Sequence, residues 1–361
     1  MKGRFCCLLC TTLLLLLTGC EHRPLVDLNN VHYVRVYIDE SLRNVTFGFY
    51  NNALWHPTFE RPKVMRVALC QAGTGQVVTD AYLQHTGSDE QGFYLDGYIT
   101  AEPGQYELMI YNFSTESTVI AHEGSYPDAT AYTNPVASYY YASMPGVRAI
   151  AQEEKLVYEP DHLFVSTRQG LTLPYLDRMD TVRQADGHWL RAESIVYSYY
   201  MQVRVRGIEY VNSSASLLTG LAGSKGVTSR TMHADDPVAI FFNMLSVEYD
   251  DEPQTRTEPS EGHEAGEGRT AIIYSTFNTF GKLPDEYTHL QITFEFIKPD
   301  GSSQVETMDI TPMFDTPQVK DQQWIILDRE IVITPPPAMD DGGGFTPDVG
   351  EWEDINSEIP I

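Results

Sequence analysis

Apolar and polar residues alternate one for one along much of this 361-residue chain, and a period of two fits half-buried strands rather than helices. The clearest run sets Ile195, Tyr197, Tyr199, Met201, Val203 and Val205 against Ser198, Gln202, Arg204 and Arg206. That pattern predicts a long strand with one face on a core and the other toward solvent. Leu290, Ile292, Phe294 and Phe296 alternate with Gln291, Thr293 and Glu295 in the same way. Pro299-Asp300-Gly301 then supplies a turn, and residues 305–310 read as the returning strand. Gly73-Thr74-Gly75 separates two further strand-like runs, and Glu102-Pro103-Gly104 links 92–99 to 105–112. Helical periodicity is scarce; residues 138–156 are the stretch that admits a helix. Short strands with Gly and Pro between them predict an all-β chain of β-sandwiches, not a parallel α/β sheet.

The length accommodates two cores of ordinary size. Strands group from about residue 31 to 158 and from about 163 to 333, with Tyr158-Glu159-Pro160-Asp161 between them. The expected division is therefore a leader over 1–19, a first sandwich over 20–160, a second over 161–333 and a tail over 334–361. Residues 248–268 are acidic and poor in apolar side chains, which predicts a mobile loop.

The leader carries Lys2 and Arg4 before an apolar run from Phe5 to Leu17, too short and wrongly flanked for a membrane span. It ends in Leu17-Thr18-Gly19-Cys20, which resembles the lipobox of bacterial lipoproteins. The resemblance implies cleavage before Cys20 and acylation of that residue, and two or three acyl chains hold a protein firmly to a bilayer. Cys6, Cys7 and Cys10 would leave with the leader, so Cys70 would remain without a disulfide partner. It ends an apolar run from Val64, where a cysteine behaves as a small core hydrophobe. The formal charge of −26 falls to −28 once Lys2 and Arg4 are lost, a balance that repels phosphate backbones and argues against nucleic acid as a partner.

Patterns that carry chemistry come close and fail. Ala222-Gly223-Ser224-Lys225-Gly226 lacks the first glycine of a nucleophile elbow and does not close as a phosphate loop. His122-Glu123 and His263-Glu264 are not followed by a histidine at zinc-protease spacing. Asp235-Asp236, Asp250-Asp251 and Asp340-Asp341 fit no twelve-residue calcium loop. The expectation is a protein with no catalytic residue, no metal and no cofactor. Tyr139-Tyr140-Tyr141, Tyr199-Tyr200 and Trp55 suit either core and cross-strand packing or, if exposed, a sugar-stacking platform.

The tail opens with Pro335-Pro336-Pro337, which ends the preceding strand, and Gly342-Gly343-Gly344 follows as a hinge. Beyond it stand Phe345, Val349 and Trp352, and then Ile355, Ser357, Ile359 and Ile361 alternate with Asn356, Glu358 and Pro360. An alternating segment beyond a hinge has the form of a strand that completes another protein's sheet. Folding back as an edge strand of its own second sandwich, or remaining disordered, fits the same residues.

Taken in order, several stretches resemble the fimbrial anchor and accessory lipoproteins of Bacteroidetes. They are the lipobox, Tyr33-Val34-Arg35-Val36-Tyr37-Ile38-Asp39, and Pro-Gly-Gln-Tyr-Glu-Leu-Met-Ile-Tyr-Asn-Phe-Ser-Thr-Glu at 103–116. Leu217-Leu218-Thr219-Gly220-Leu221-Ala222 and the closing Pro-Pro-Pro, Gly-Gly-Gly-Phe and Trp-Glu of the tail complete the series. The resemblance implies two tandem transthyretin-like β-sandwiches, outer-membrane attachment, and a part in a pilus assembled by strand exchange among fimbrial subunits. In that family anchors keep their lipid, whereas stalk subunits lose an N-terminal segment after an arginine; Arg23, Arg35 and Arg43 lie in that region without one standing out. No catalytic or cofactor residues come with the family. The rival expectation is a surface glycan-binding lipoprotein with exposed coplanar aromatics.

Overall fold

The computed structural model describes residues 30–336 apart from 42–46, 49–53, 56–59, 113–114, 176–179, 245, 250–267 and 285–288. Cys20, the tail beyond 336 and most of the expected loop at 248–268 lie outside the described residues; Ser246–Tyr249 is a strand. The fold is all-β, built as two sandwiches with, among the described residues, two short α-helices and a small bridging sheet.

In the first lobe one curled sheet runs Val77–Leu83, Met65–Gln71, Gly104–Asn112, Phe164–Leu173, Leu190–Ser194, Val31–Ile38, Gly92–Thr100 and His85–Asp89. Asp180–Val182 also pairs with Val31–Ile38, parallel as Leu190–Ser194 does. Val34, Val36, Met65, Val67, Leu69, Leu95, Leu108, Ile110 and Phe164 fill the space the sheet encloses. Gly92–Thr100 and Gly104–Asn112 are consecutive yet belong to opposite walls, so Glu102-Pro103-Gly104 is a crossover rather than a hairpin turn.

The second lobe packs a five-stranded sheet on a four-stranded one. The first runs Lys155–Tyr158, Pro237–Phe242, Ser213–Ala222, Gln291–Ile297 and Ser303–Asp309; the second Ser246–Tyr249, Thr270–Thr279, Tyr197–Arg206 and Trp324–Val332. Met201, Val203, Val205, Ile292, Phe294 and Phe296 meet between them, as their alternation predicts. Tyr197 departs from the pattern: it is exposed at the strand's start. The opposite faces also differ from expectation. Tyr200, Ser198 and Gln202 are buried, with Tyr200 packed among Ile272, Tyr274 and Trp324. Thr293 and Glu295 are buried because the helix Pro145–Glu153 lies over that side of the sheet; Ala215, Leu217, Ala239 and Val147 pack together there.

The expected joint at 158–161 does not separate the lobes. Lys155–Tyr158 pairs in parallel with Pro237–Phe242 of the second lobe, and the chain then returns so that Phe164–Leu173 runs antiparallel to Gly104–Asn112 of the first. The final passage between lobes comes at 195–197, after Leu190–Ser194. A proline and polar residues at a crossover look the same in sequence as those at a linker. The Asn112 side chain secures the return, donating to the His162 carbonyl at 3.0 Å and accepting from the Phe164 N–H at 2.6 Å.

The two lobes share a core. On the outer face of the first-lobe wall, Ala68, Cys70, Met109, Tyr111 and Val165 pack against Ile195, Val196, Ala222, Val227 and Phe280. A three-stranded sheet spans the same junction: Thr118–Ala121 and Thr130–Thr133 are joined by Ser224–Gly226.

Glu295, fully buried on the five-stranded sheet, accepts a 2.8 Å hydrogen bond from the Val147 N–H in the first turn of the helix. Helix N-termini leave such donors without intrahelical partners. Glu295→Ala is therefore expected to lower stability by about 1–3 kcal/mol in urea unfolding, the cost of an unmet buried donor. An unchanged midpoint would show that the helix does not depend on that contact.

Candidate functional site

The crossover at 159–162 gathers the buried polar groups that most invite a chemical reading. Ser198 Oγ lies 3.2 Å from His162 Nε2, and Ser194 Oγ 3.5 Å from Nδ1 of the same ring. A serine beside a histidine is the start of a nucleophile–base pair, but the surroundings do not complete one. Ser198 is 1% exposed and donates to Asn278 Oδ1 at 2.7 Å. Asp161 is turned to the Ser117 and Thr118 N–H groups at 2.6 and 3.0 Å rather than to the imidazole. Burial drives the His162 pKa down to about 4, so the ring is neutral at pH 7.

Its neighbours are tuned in the same way. Glu159 accepts from the Asn278 N–H at 2.9 Å, and burial raises its pKa to about 7. Lys225 reaches across the junction to the carbonyls of Ile195 and Phe280 at 2.9 and 3.2 Å and stands 4.5 Å from the Tyr197 ring centre. Burial lowers its pKa to about 8. These groups tie the crossover and both lobes together. Cys70 is fully buried beside them, its thiol pushed up to about 11 by desolvation, as suits a small core residue.

A second cluster lies on the outward face of the first lobe. Alternation along Val31–Ile38 turns Tyr33, Arg35 and Tyr37 outward, and along Gly92–Thr100 it does the same for Tyr94, Asp96 and Tyr98. The antiparallel register sets Tyr33 opposite Tyr98, Arg35 opposite Asp96 and Tyr37 opposite Tyr94. The Arg35 guanidinium lies 3.8 Å from the Tyr94 ring centre and 5.3 Å from that of Trp189. It pairs with Asp96 at 3.1 Å and with Asp89 at 3.4 Å. Asp96 also accepts from the Tyr33 hydroxyl at 2.5 Å and holds His85 Nδ1 at 2.7 Å. Gly87 has no side chain where Tyr94 sits; a Cβ there would come within 2.4 Å of that ring. The repeat Tyr-x-Arg-x-Tyr was visible in the sequence, but its partner strand was not.

Tyr139 and Tyr140 are exposed on a short 3-10 turn, rings 4.3 Å apart and tilted by 32°. Trp55 lies in a strand whose side chains are not described, and Cys20, Phe345, Val349, Trp352, Ile355, Ile359 and Ile361 lie outside the described residues. Ile333 N–H donates to the Arg206 carbonyl at 2.8 Å, and Thr334 accepts from Lys298 Nζ at 2.9 Å. Gln304, on the strand Ser303–Asp309, donates to the Val332 carbonyl at 2.8 Å. That strand is the last of its sheet among the described residues. Among the described residues no cluster of His, Cys, Asp or Glu is placed to hold a metal, and no helix is long and apolar enough to cross a membrane.

Glu159 and His162 oppose each other in pH dependence. The folded Glu159 pKa lies above its ordinary 4.5, so its contribution to stability is present at low pH and lost as pH rises toward about 7. The folded His162 pKa lies below 6.5, so its contribution grows as pH rises from about 4 to 6.5. Glu159→Gln removes only the first. Its urea midpoint relative to the native protein is expected to rise between about pH 5 and 7, whereas a constant difference would mean that Glu159 does not titrate there.

Residues 19–243 match the model of a family described as "Domain of unknown function (DUF5119)". A Bacteroides ovatus protein described as "Putative fimbrium anchoring subunit Fim4B" is 27% identical over 377 residues, spanning 96% of each chain. A crystal structure of a "putative adhesin" from Bacteroides ovatus superposes with a TM-score of 0.54 at 20% identity, covering 88% of this chain and 98% of that one. The fimbrial anchor protein Mfa2 from Porphyromonas gingivalis matches at a TM-score of 0.43 and 12% identity, over 84% and 90% of the two chains. The resemblance to fimbrial anchor proteins drawn from the sequence is upheld by the full-length match to the Bacteroides ovatus subunit.

Proposed function

This chain belongs to the DUF5119 family, and on that footing we propose that it is a lipid-tethered outer-membrane protein that anchors a fimbrial fibre or assists its assembly. The observation that carries the reading is the likeness to a protein described as a "Putative fimbrium anchoring subunit", which extends over 96% of both chains. Acylated Cys20 fixes the protein to the outer membrane, and the tail beyond Pro337 supplies a strand to a neighbouring fibre subunit. No step of this work calls for catalysis, a cofactor or a metal.

The placement of the terminal strands supports a load-bearing role. Val31–Ile38 begins eleven positions after Cys20 and is hydrogen-bonded on both sides, to Gly92–Thr100 and to Asp180–Val182 with Leu190–Ser194. At the other end, Trp324–Val332 runs parallel to Tyr197–Arg206 and leads into the tail. Tension along either strand shears several ladder hydrogen bonds together instead of opening them one by one. The junction core then passes the load from lobe to lobe. In the tail, each isoleucine buried in a partner's groove contributes about 1.5–3 kcal/mol, with backbone pairing to fix direction.

Two changes separate the tether from the joint. Cys20→Ser is expected to move the protein from the membrane pellet to the soluble envelope fraction, followed by fractionation and immunoblotting. Deletion of Thr346–Ile361 is expected to leave a folded, membrane-bound protein that no longer copurifies with a fibre subunit. Undiminished copurification after that deletion sinks strand donation.

A further inference from the structure

The outward face of the first lobe is built unlike a solvated sheet surface. Four neighbouring segments contribute to it: residues 33–37, 94–98, 85–89 and 189–193. Their outward positions carry tyrosine, tryptophan, arginine, histidine, aspartate, glutamate and glycine, and no aliphatic side chain. Tyr33 and Tyr98 form one aromatic row, rings 5.6 Å apart and tilted by 55°, and Tyr37 and Tyr94 form a second, rings 5.4 Å apart and edge to face, with Tyr37 buried. Between the rows runs a polar strip of Arg35, Asp96 and His85.

Packing within the sheet accounts for part of this arrangement. Arg35 is stacked and doubly paired, and Tyr33 and Tyr37 donate their hydroxyls to Asp96 and Asp89. It does not account for Tyr98, which is 56% exposed, or for His85, whose side chain is 74% exposed although Nδ1 is fixed on Asp96. Both are held in place by buried neighbours yet open to solvent, so a ligand would meet them already ordered.

We propose that this face is a binding surface for a neutral polysaccharide. A pyranose ring presents C–H groups on its flat sides and hydroxyls around its rim. The first suit the exposed Tyr98 ring and the half-buried Tyr33 and Tyr94, and the second suit the His85 imidazole, the Asp89 carboxylate and the partly exposed Arg35 guanidinium. The face is an open sheet rather than an enclosed cavity, which suits a polymer lying across it. Charge selects a neutral sugar. Arg35 is already paired with Asp89 and Asp96, Arg183 is stacked on Trp189, exposed Arg191 shares its strand face with Glu193, and the chain around them carries a formal charge of −26 that repels polyanions. The proposal does not depend on the anchoring role.

Affinity electrophoresis tests the assignment with the full chain in detergent and gels containing dextran, laminarin, mannan or xylan, with polygalacturonate as the anionic control. At least one neutral polymer is expected to retard the protein. Tyr98→Ala should weaken that retardation at least about tenfold while leaving the melting temperature unchanged, and Tyr139→Ala should have no effect. Retardation by none of the four neutral polymers, or equal retardation of Tyr98→Ala and the native chain, overturns the proposal. So does a photocrosslinker at position 98 that captures a protein in intact cells, which would make the face a protein interface.

Discussion

Three strands of the first lobe are buried on both faces, and most of the architecture answers to that constraint. Met65–Gln71, Gly104–Asn112 and Phe164–Leu173 send Val67, Leu108 and Phe164 into the first-lobe core. Their other faces send Ala68, Met109 and Val165 into the core shared with the second lobe. A wall covered on both sides cannot alternate apolar with polar, which is why the Met65–Cys70 run is apolar at every position but Arg66. It also cannot leave buried polar groups unmet. Arg66 stands on the same wall and is satisfied by Asp80, the Tyr111 hydroxyl and Glu123 at 2.8, 2.6 and 3.0 Å. Across the junction Lys225 ends on two backbone carbonyls. Removing the second lobe would expose the apolar outer face of this wall, so the first lobe is not complete alone.

Alternation in the sequence foretold which residues of the isolated strands turn inward. Met201, Val203, Ile292 and Phe294 meet the second-lobe core as their period of two requires. It failed where a second layer covers the far face. Glu295 and Thr293 read as solvent positions because the helix that hides them lies about 150 residues earlier in the chain, and Gly146 packs so closely that a Cβ there would come within 3.0 Å of Glu295. Gln202 and Tyr200 are hidden differently, by large side chains on neighbouring strands of their own sheet, Ile272, Tyr274 and Trp324. The lobe boundary escaped because pairing between Phe164–Leu173 and Gly104–Asn112 is set by distant residues, while the proline at 160 marks only that the chain turns. Tyr33, Arg35 and Tyr37 were legible as one row of a strand; the cluster needed Tyr94, Asp96, Tyr98 and Trp189, which two other segments bring alongside.

The same geometry bears on function. A tether at Cys20 would deliver force to Val31–Ile38, which sits inside its sheet rather than at an edge. The shared core and the bridging sheet make the passage to the second lobe a packed one, with Glu159, Asp161 and His162 hydrogen-bonded into both sides. The polysaccharide face looks outward from the first lobe, on the very strands that would carry the load, so sugar contact and fibre attachment would draw on one rigid body.

Photocrosslinking from the tail tests the anchoring account most directly. With p-benzoylphenylalanine in place of Trp352 or Ile359, illumination of intact cells should yield crosslinks from the tail to a fibre subunit. Crosslinks that return only to this protein's own second lobe, or that reach only outer-membrane transport proteins, would contradict it.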